Sequence, residues 1–248
     1  ILKEETSQYY IGDFKTGATN RIKLRKKPSS DIHVFHQIFV GLEYLPVVNV
    51  YRKNFHSGNN LNIIDAGSNI GLTSLYFTDH FTEPRIVCVE PHPENFQVLE
   101  FNLSNKKNVT KINGAVWSSD TGIKIVSDFR DKSDWSFRVI ESDDADSIKA
   151  YSIGTLAKNN GFDLIDILKI DVEGSEKQIF TTPGLNPDFL LITKCIAVEI
   201  HDEFDCRQEI YNVLDNYGFE YFNEGELTIG INTRLRDKSA KSEPASAL

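Results

Sequence analysis

Cysteine and long apolar runs are both scarce in the sequence, and each absence excludes a class of protein. Three cysteines, Cys88, Cys195 and Cys206, stand among 248 residues. A small, odd number of thiols, two of them inside apolar runs, does not provide the framework of a disulfide-rich secreted domain. No segment approaches the roughly 18 apolar residues of a membrane span, and ILKEETSQYY lacks the basic and then apolar order of a signal peptide. We therefore expect a cytoplasmic protein with reduced thiols and without a membrane span.

Positive charge is scarce as well. The chain has 27 Lys and Arg against 36 Asp and Glu, a formal net charge of -9. The excess of acidic residues lies wholly after residue 53, so the main body would repel phosphate groups and nucleic acid is not expected as a partner. A single basic cluster at residues 21–27 alternates with Ile22 and Leu24, which favours a protected sheet edge; contact with an anionic substrate is the alternative.

The remaining composition is that of an ordinary globular protein, with 40% hydrophobic and 25% charged residues. From residue 61 onward, short β-rich runs alternate with helical patterns. The runs are LNIIDA, RIVCVE, VTKINGAVW, LIDILKID and CIAVEIH. This alternation predicts an α/β fold with a parallel sheet and helices on both faces. Two further runs, GFEYF and ELTIGINTRL, flank turn residues 223–225 and predict a closing antiparallel hairpin.

Helical spacing predicts four helices between these strands. They are expected at about residues 70–80, at about 93–105, directly after Glu173, and at about 206–217. Pro93 suits a first helical turn, and Gly218 suits the C-cap of the fourth helix. Near the N-terminus, DIHVFHQIFVGLEYL has apolar residues at helical spacing and predicts one further amphipathic helix, starting at an Asp31 cap.

These patterns divide the chain into three parts. Residues 1–60 form an N-terminal extension that is expected to pack on the core as a lid or as a wall of the substrate site. Residues 61–235 form the main domain. Residues 236–248, RDKSAKSEPASAL, are polar apart from small residues and a final Leu, which is typical of a disordered tail.

The first candidate site is the segment IIDAGSNIGLTS, which joins a predicted strand to a predicted helix. Gly67 and Gly71 allow positive φ angles and the close approach of a ligand to bare backbone, and the helix start offers free N–H groups. A dinucleotide fingerprint would have glycine where Asn69 stands, and Asp65 would repel a pyrophosphate. S-adenosylmethionine is a cationic alternative, because Asp65 can attract its amino-acid end while the helix start receives its carboxylate. The alternative interpretation is that this segment is a tight turn between strand and helix that binds no ligand.

A second acidic residue ends the next predicted strand, in the motif VEPHP. Glu90 stands roughly 20 residues after the glycine loop, where a carboxylate can accept both ribose hydroxyls of a nucleoside. Pro91 follows it directly, and adenine is then expected near the turn at residues 113–116, which contains Ala115. A capping or solvated Glu90 is the alternative interpretation.

A third group of polar residues stands at the ends of the last two predicted parallel strands. The run LKIDVEGSE places Asp171, Glu173 and Glu176 after one strand, and Glu199 and His201 follow the other. Because open parallel sheets bind ligands at the carboxyl ends of their strands, these side chains are expected to meet in one crevice. The structural alternative has Asp171 capping a helix and Glu199 bound to a backbone amide.

In this order, five stretches of the chain resemble the FkbM-type S-adenosylmethionine-dependent methyltransferases, a class I methyltransferase family. They are DIHVFHQIFVGLEY, IIDAGSNIGLTS, VEPHPENFQVLEFN, LKIDVEGSE and AVEIH, and they span roughly residues 31–222. The resemblance implies a Rossmann-like sheet of seven mostly parallel strands with an antiparallel last strand. It also implies O-methylation of hydroxyl groups on sugars or natural products. Ser175 stands where the family more often has alanine.

Methyl transfer from a sulfonium requires mainly that the acceptor oxygen is aligned with the methyl group. The acceptor hydroxyl must also lose its proton, and His201, with an ordinary pKa of about 6.5, is the candidate general base beside Asp171 and Glu199. Alternatively, Asp171, Glu199 and His201 hold Mg²⁺, which would lower the pKa of the substrate oxygens. The residues expected to bind the donor are Asp65, Gly67, Asn69, Gly71, Glu90, Pro91, Ala115 and Asp171.

The acceptor is expected to be a hydroxylated small molecule such as a sugar, a lipid or a polyketide. In the segment 128–146, Trp135 and Phe137 can stack on a ring of the acceptor, with ordinary hairpin packing as the alternative. A nicotinamide-dependent oxidoreductase would share the scaffold but needs the middle glycine. A noncatalytic nucleoside-binding protein would not need the second acidic cluster. Methyl transfer is therefore the favoured interpretation.

Overall fold

The computed structural model describes residues 1–15, 19–55, 59–126, 138–142, 144 and 146–237. The expected tail at 236–248 lies almost entirely outside these residues, as do Trp135 and Phe137. Within the described part of the chain, no helix is both long enough and apolar enough to cross a lipid bilayer.

The N-terminal extension combines a small sheet with two helices. It consists of β1 (Leu2–Glu5), β2 (Tyr9–Lys15), β3 (Thr19–Arg25), α1 (Asp31–Phe39) and α2 (Leu45–Asn54). The strands form an antiparallel sheet in the order β1-β2-β3. The basic cluster therefore lies on and just after a strand at the edge of this sheet.

The expectation of one continuous helix from residue 31 is wrong. The backbone turns between α1 and α2, where Leu42 has a positive φ of 56°. Gly41 allows this turn, because a Cβ atom at that position would lie 2.7 Å from the carbonyl oxygen of Gln37. The helical spacing of apolar residues continues as far as Leu42, but the side chain of Leu42 is exposed in the turn and does not join the core.

The predicted Asp31 cap is also wrong. Ser30 holds the N-cap position, and Asp31 is the first residue of the helix. The buried carboxylate of Asp31 instead accepts hydrogen bonds from the backbone N–H and the guanidinium of Arg25, at 2.7 and 2.8 Å. Asp31 therefore joins α1 to β3.

Eleven more strands follow in the described part of the chain. In order, they are β4 (Asn62–Ala66), β5 (Arg85–Glu90), β6 (Val109–Asn113), β7 (Ala115–Val116), β8 (Thr121–Val126), β9 (Arg138–Glu141), β10 (Ile148–Tyr151), β11 (Ile165–Ile170), β12 (Thr193–Glu199), β13 (Phe219–Glu224) and β14 (Leu227–Asn232). Seven of them form the main sheet, in the order β13-β14-β12-β11-β4-β5-β6. Neighbours from β12 to β6 are parallel, and β14 is antiparallel to both β12 and β13. This confirms the predicted seven-stranded sheet with its antiparallel last strand.

Helices cover both faces of the main sheet. They are α3 (Leu72–His80), α4 (Pro93–Asn102), α5 (Ile153–Asn159), α6 (Glu176–Thr181) and α7 (Arg207–Tyr217). Adjacent residues of β4 illustrate the two faces, since Ile63 joins the core that contains α2 and α3 and Ile64 joins the core that contains α5 and α7. Gly218 caps α7 with a φ of 84°, as predicted.

A second sheet, in the order β7-β10-β8-β9, was not predicted. The run VTKINGAVW was expected to be one strand, but it divides at Gly114 into β6 of the main sheet and β7 of the second sheet. The carbonyl oxygen of Lys149 in β10 approaches Gly114 so closely that a Cβ there would lie 2.7 Å from it. The pairing with β10 therefore separates the two strands.

Candidate functional site

The glycine loop between β4 and α3 has the positive φ angles that were predicted. Gly67 has φ 75° and Gly71 has φ 81°, and Asn69 between them also has a positive φ of 48°. A Cβ at Gly67 would lie 1.7 Å from the carbonyl oxygen of Asp171, and one at Gly71 would lie 2.9 Å from Leu103 Cδ1. The protein itself thus occupies the space beside both glycines, so the need for glycine comes from close packing of the loop and not from the approach of a ligand.

Asp65 lies beneath the loop and is fully buried, with an exposure of 0%. Its Oδ2 accepts a hydrogen bond of 2.6 Å from Ser74 Oγ, and its Oδ1 lies 3.5 Å from Lys169 Nζ. The expectation that Asp65 meets the amine of a donor directly is corrected by this geometry, because the carboxylate is enclosed and already paired with an ammonium group.

A cavity of about 280 Å³ lies above the glycine loop. Of the predicted site residues, Gly67, Asn69, Asp171 and Glu199 line it. The residues that line it and were not predicted as site residues include His33, Gln37, Glu43, Tyr44, Lys169 and Glu226. The cavity therefore lies between the N-terminal extension and the carboxyl ends of β4, β11 and β12, the edge at which a parallel sheet is expected to bind ligands.

A second, more open cavity of about 400 Å³ shares part of this lining. Glu199 and Glu226 line both cavities, whereas His201 and Arg207 line the second one. Glu199 is thus accessible from both cavities.

The carboxylates of the cavity are crowded, and this changes their proton affinity. Burial, together with the nearby charge of Asp171, raises the pKa of Glu173 to about 8 and that of Glu199 to about 8. The pKa of Glu43 is raised as well, chiefly by burial and then by Asp171. The site is therefore poised to attract a cation or to exchange protons near neutral pH.

His201 is held by three carboxylates. Its Nδ1 donates to Glu176 Oε1 at 3.0 Å, while its Nε2 lies 3.5 Å from Glu173 Oε2 and 3.8 Å from Glu199 Oε1. Burial acts to lower the pKa of His201, but the hydrogen bond and charge of Glu176 and the charge of Glu173 outweigh it and raise the pKa to about 10. The expectation that His201 is neutral near pH 7 is therefore wrong for this arrangement, and the imidazole carries a proton.

Three of these groups also lie close enough to share a cation. Among the described residues, Asp171, Glu173 and His201 each offer a ligand atom, and these atoms lie within 4.8 Å of one another. Glu173 thus takes the place that was predicted for Glu199 in such a set.

The predicted nucleoside residues lie outside the lining of the first cavity. Glu90 is buried at the end of β5, where its carboxylate accepts hydrogen bonds from the backbone N–H groups of Asn69 and His92, at 2.8 and 2.9 Å. Burial raises the pKa of Glu90 to about 7, although these hydrogen bonds act to lower it. Pro91 follows Glu90 in the chain, and Ala115 is buried in the core of the second sheet.

The fit of S-adenosylmethionine to this site can be judged from the chemistry of the lining. The ligand carries an ammonium and a sulfonium, and the cavity offers carboxylates from Glu43, Asp171 and Glu173. Its carboxylate needs donors, which the backbone N–H groups in the first turn of α3 can provide. The residues present therefore fit the amino-acid end of this donor.

Two contacts beside the cavity could not be found from local sequence. Gln37 Nε2 donates to Glu43 Oε1 and to Glu226 Oε2, both at 3.2 Å, and so joins α1 to the turn between β13 and β14. Glu226 is far from Gln37 in the chain, and no sequence pattern relates them. Lys169 does carry a signal, because it is a charged residue within the apolar run ILKI of a buried strand.

Comparisons with known proteins found a relative by sequence and several solved structures that the chain resembles. A relative, the methyltransferase sdnD of Sordaria araneosa, is 24% identical over 191 residues, covering 64% of this chain and 73% of that protein. A precorrin-6y C5,15-methyltransferase from Geobacter metallireducens is 13% identical, and the match covers 75% of this chain and 86% of that protein with a TM-score of 0.41. The fibrillarin pre-rRNA processing protein of Methanococcus jannaschii is 13% identical, and the match covers 93% of this chain and 96% of that protein with a TM-score of 0.44. Structural similarity at this level says nothing about the substrate.

The sheet order and the profile match identify the family. The main sheet has the Rossmann-like order and the antiparallel β14 that were expected of a class I methyltransferase. A profile of the methyltransferase FkbM domain matches residues 65–221, which is more than half of the chain and contains the glycine loop, Glu90 and both acidic strand ends. The chain belongs to the FkbM methyltransferase family.

Proposed function

We propose that this enzyme transfers the methyl group of S-adenosylmethionine to a hydroxyl oxygen of a sugar or another natural product. The observation that carries the proposal is that a single cavity is lined both by the glycine loop and by the strand-end carboxylates Asp171, Glu173 and Glu199. A cationic donor is favoured in a cavity whose charged lining is mostly acidic.

When bound, S-adenosylmethionine would supply a sulfonium methyl group that an acceptor oxygen can attack in line, with S-adenosylhomocysteine as the leaving group. The first turn of α3 would receive the carboxylate of the ligand, and Asp171 and Glu43 would receive its ammonium. Glu90 accepts the ribose hydroxyls, and Pro91 and Ala115 mark the adenosine end. Asp65 contributes indirectly, since it balances the charge of Lys169.

The acceptor hydroxyl has to lose its proton as its bond to the methyl group forms. Glu199 is the candidate base, because it lines both cavities and its pKa of about 8 is close to neutrality. The charged imidazole of His201 lies 3.8 Å from Glu199 Oε1 and stabilises the ionised carboxylate. Asp171 lies on the donor side of the same cluster. In this scheme the acceptor enters through the second cavity, and the N-terminal extension forms the opposite wall.

A second version of the mechanism uses a divalent cation such as Mg²⁺ between Asp171, Glu173 and His201, as the spacing of their ligand atoms allows. The cation would take the place of the proton on Nε2 of His201. Such a cation would lower the pKa of the acceptor hydroxyl. Methyl transfer that continues in excess EDTA excludes this version. Loss of activity in EDTA that added Mg²⁺ restores supports it.

Calorimetric titration tests the donor. We expect S-adenosylmethionine and S-adenosylhomocysteine to bind and NAD not to bind. Binding of NAD alone would support the nicotinamide oxidoreductase, and binding of nucleosides without any methyl transfer would support a noncatalytic binding protein. A panel of hydroxylated sugars, lipids and polyketides, incubated with methyl-labelled donor, then identifies the acceptor.

The proposal places the enzyme in the cytoplasm. All three cysteines, Cys88, Cys195 and Cys206, are buried and unpaired, as expected of a protein that functions in a reducing compartment. A fluorescent fusion expressed in the source cells, compared with cytoplasmic and secreted markers, tests this location.

A further inference from the structure

Lys169 is a positive charge in the interior of the main sheet. It lies near the carboxyl end of β11, between β4 and β12, and only 2% of it is exposed. Among the residues that the structure describes, it is the only lysine or arginine that is buried. An ammonium group in such a place is costly unless partners hold it, so its contacts indicate what it does.

Lys169 Nζ has two kinds of partner. It donates a hydrogen bond of 2.6 Å to the carbonyl oxygen of Gly67 and lies 3.4 Å from that of Ala66. It also lies 3.5 Å from Asp65 Oδ1 and 3.4 Å from Asp171 Oδ2. Burial acts to lower the pKa of Lys169, but Asp171, followed by Tyr44 and Asp65, raises it well above its usual range, so the group is charged. The shortest of these contacts is with the backbone of the glycine loop.

The carbonyl of Gly67 lies at the point where the chain leaves β4 and turns toward α3. On the other side of this turn, the N–H groups of Gly67 and Ser68 donate to the carbonyl oxygen of Val89, at 3.0 and 2.9 Å. The loop is thus held between β5, through Val89, and β11, through Lys169. The N–H of Asp171 also donates to the carbonyl oxygen of Ala66 at 3.1 Å. Removing the Lys169 contact would therefore release the carbonyl of Gly67 while leaving the rest of the loop in place.

We propose that Lys169 is a positioning residue for the methyl donor: its hydrogen bond to Gly67 holds the glycine loop in the geometry that binds S-adenosylmethionine. This rests on the proposed function, because it assumes that the cavity above the loop takes this donor. The role is distinct from balancing the charge of Asp65. A buried ion pair on its own requires only that the two charges compensate each other, whereas positioning requires the donated hydrogen bond.

A double variant separates the two roles. Lys169→Met alone leaves Asp65 buried without its counter-charge, so we expect a lower melting temperature as well as weaker binding. In the Asp65→Asn background the fully buried charge is already removed, and Lys169→Met then tests the hydrogen bond to Gly67. Asp171 also loses its contact with Lys169 in this variant. A carboxylate freed from an ammonium group should attract the amine of the ligand more strongly, so this loss does not account for weaker binding. We expect Asp65→Asn/Lys169→Met to melt well above Lys169→Met, yet to bind S-adenosylmethionine and S-adenosylhomocysteine at least about tenfold more weakly than Asp65→Asn. Calorimetric titration is done at a temperature at which circular dichroism shows each variant to be folded.

The neighbouring strand offers a matched control. Lys194 on β12 lies 2.7 Å from Asp166 Oδ1, at the opposite end of the sheet from the glycine loop. Lys194→Met should lower the melting temperature without changing the affinity for either ligand.

Two outcomes would overturn the assignment of Lys169 while leaving the proposed function intact: equal affinities of Asp65→Asn and the double variant, or an equal loss of affinity in Lys194→Met. If the folded wild-type protein binds neither ligand, the proposed function fails, and the role of Lys169 fails with it. If Lys169→Met does not fold, the comparison between Asp65→Asn and the double variant still decides the question.

Discussion

Glu90 is a buried carboxylate whose charge state should control donor binding. Its pKa is raised to about 7, mainly by burial. Ribose hydroxyls donate hydrogen bonds to the ionised form, so binding should be favoured as pH rises through 7. If only the ionised form binds, the dissociation constant for S-adenosylhomocysteine should fall about tenfold between pH 6 and pH 8. Calorimetric titration across this range measures the change.

The control for this prediction is Glu90→Gln, which cannot ionise. Any pH dependence that remains in the variant belongs to the amino group of the ligand and can be subtracted.

The raised pKa of Glu90 also makes the stability of the fold depend on pH. Because the folded pKa is above the ordinary value of 4.5, the carboxyl costs stability as pH rises from about 4.5 to about 7. Glu90→Gln should therefore flatten the loss of stability in this window, and an unchanged profile would contradict the assignment.

Glu199 is the residue at which the proposed chemistry can be tested most directly. Once an acceptor has been found, Glu199→Gln should lower the rate of methyl transfer by roughly 10²–10⁴-fold while donor binding is retained, because a general base typically contributes this much. Rapid-quench measurement of a single turnover separates the chemical step from product release. Glu220→Gln is the matched control, since Glu220 is exposed and paired with Arg236 on the surface, and its rate should stay within about twofold of wild type. If Glu199→Gln transfers the methyl group at the wild-type rate, another group is the general base.

At the scale of elements, the connection between β3 and α1 should be a major source of stability for the extension. Asp31 is 1% exposed and Arg25 is 12% exposed, and removing the carboxylate leaves the guanidinium without its closest counter-charge. Asp31→Ala should lower the free energy of unfolding by about 3 kcal/mol, as measured by urea denaturation. Glu5→Ala breaks the exposed pair between Glu5 and Lys26 and should cost less than about 1 kcal/mol. Equal losses in the two variants would show that burial of the Asp31 pair is unimportant.

The elements that were predicted correctly are those whose signal is local. The central strands of the main sheet, β4, β5, β11 and β12, are short apolar runs with both faces buried. Gly218 ends α7 at a position that favours a left-handed residue. The break between α1 and α2 was missed because apolar spacing is nearly continuous across it, while the turn depends on the backbone at Leu42. The second sheet was missed because β7 has only two residues and pairs with β10, which is distant in sequence.

In the candidate site, too, the features with a local sequence signal were predicted, and those that depend on packing in the folded chain were not. Motif spacing brought Gly67, Asn69, Asp171 and Glu199 to one cavity, because parallel strands end at the same edge of a sheet. The charge states were not predictable from motifs. The pKa of His201 depends on how closely Glu176 and Glu173 pack around it, and that packing is a property of the folded chain.

At the scale of the whole molecule, the two faces of the main sheet are covered by different parts of the chain. One face is covered by α5 and α7, which belong to the methyltransferase domain itself. The other is covered by α3 together with the N-terminal extension. Tyr51 of α2 is fully buried and its hydroxyl donates to Asp166 Oδ1 at 2.7 Å, across the boundary that the sequence suggested at residue 60. The N-terminal extension therefore contributes to the core of the protein and also forms one wall of the cavity.

This arrangement predicts that residues 61–248 do not fold on their own. Eight buried hydrophobic residues of the extension belong to the core on that face. At about 1.5–3 kcal/mol each, their combined contribution matches or exceeds the roughly 5–15 kcal/mol by which a domain is normally stable. The truncated chain should lose its near-ultraviolet circular dichroism and bind a hydrophobic dye, and S-adenosylhomocysteine should not restore it. Removal of residues 1–6 is the control, because β1 is exposed along its whole length and its loss should leave a cooperative transition. A cooperative unfolding transition in the 61–248 fragment would instead show that the extension is an independent lid, in which case α1 and α2 could evolve with the acceptor without any cost to the fold.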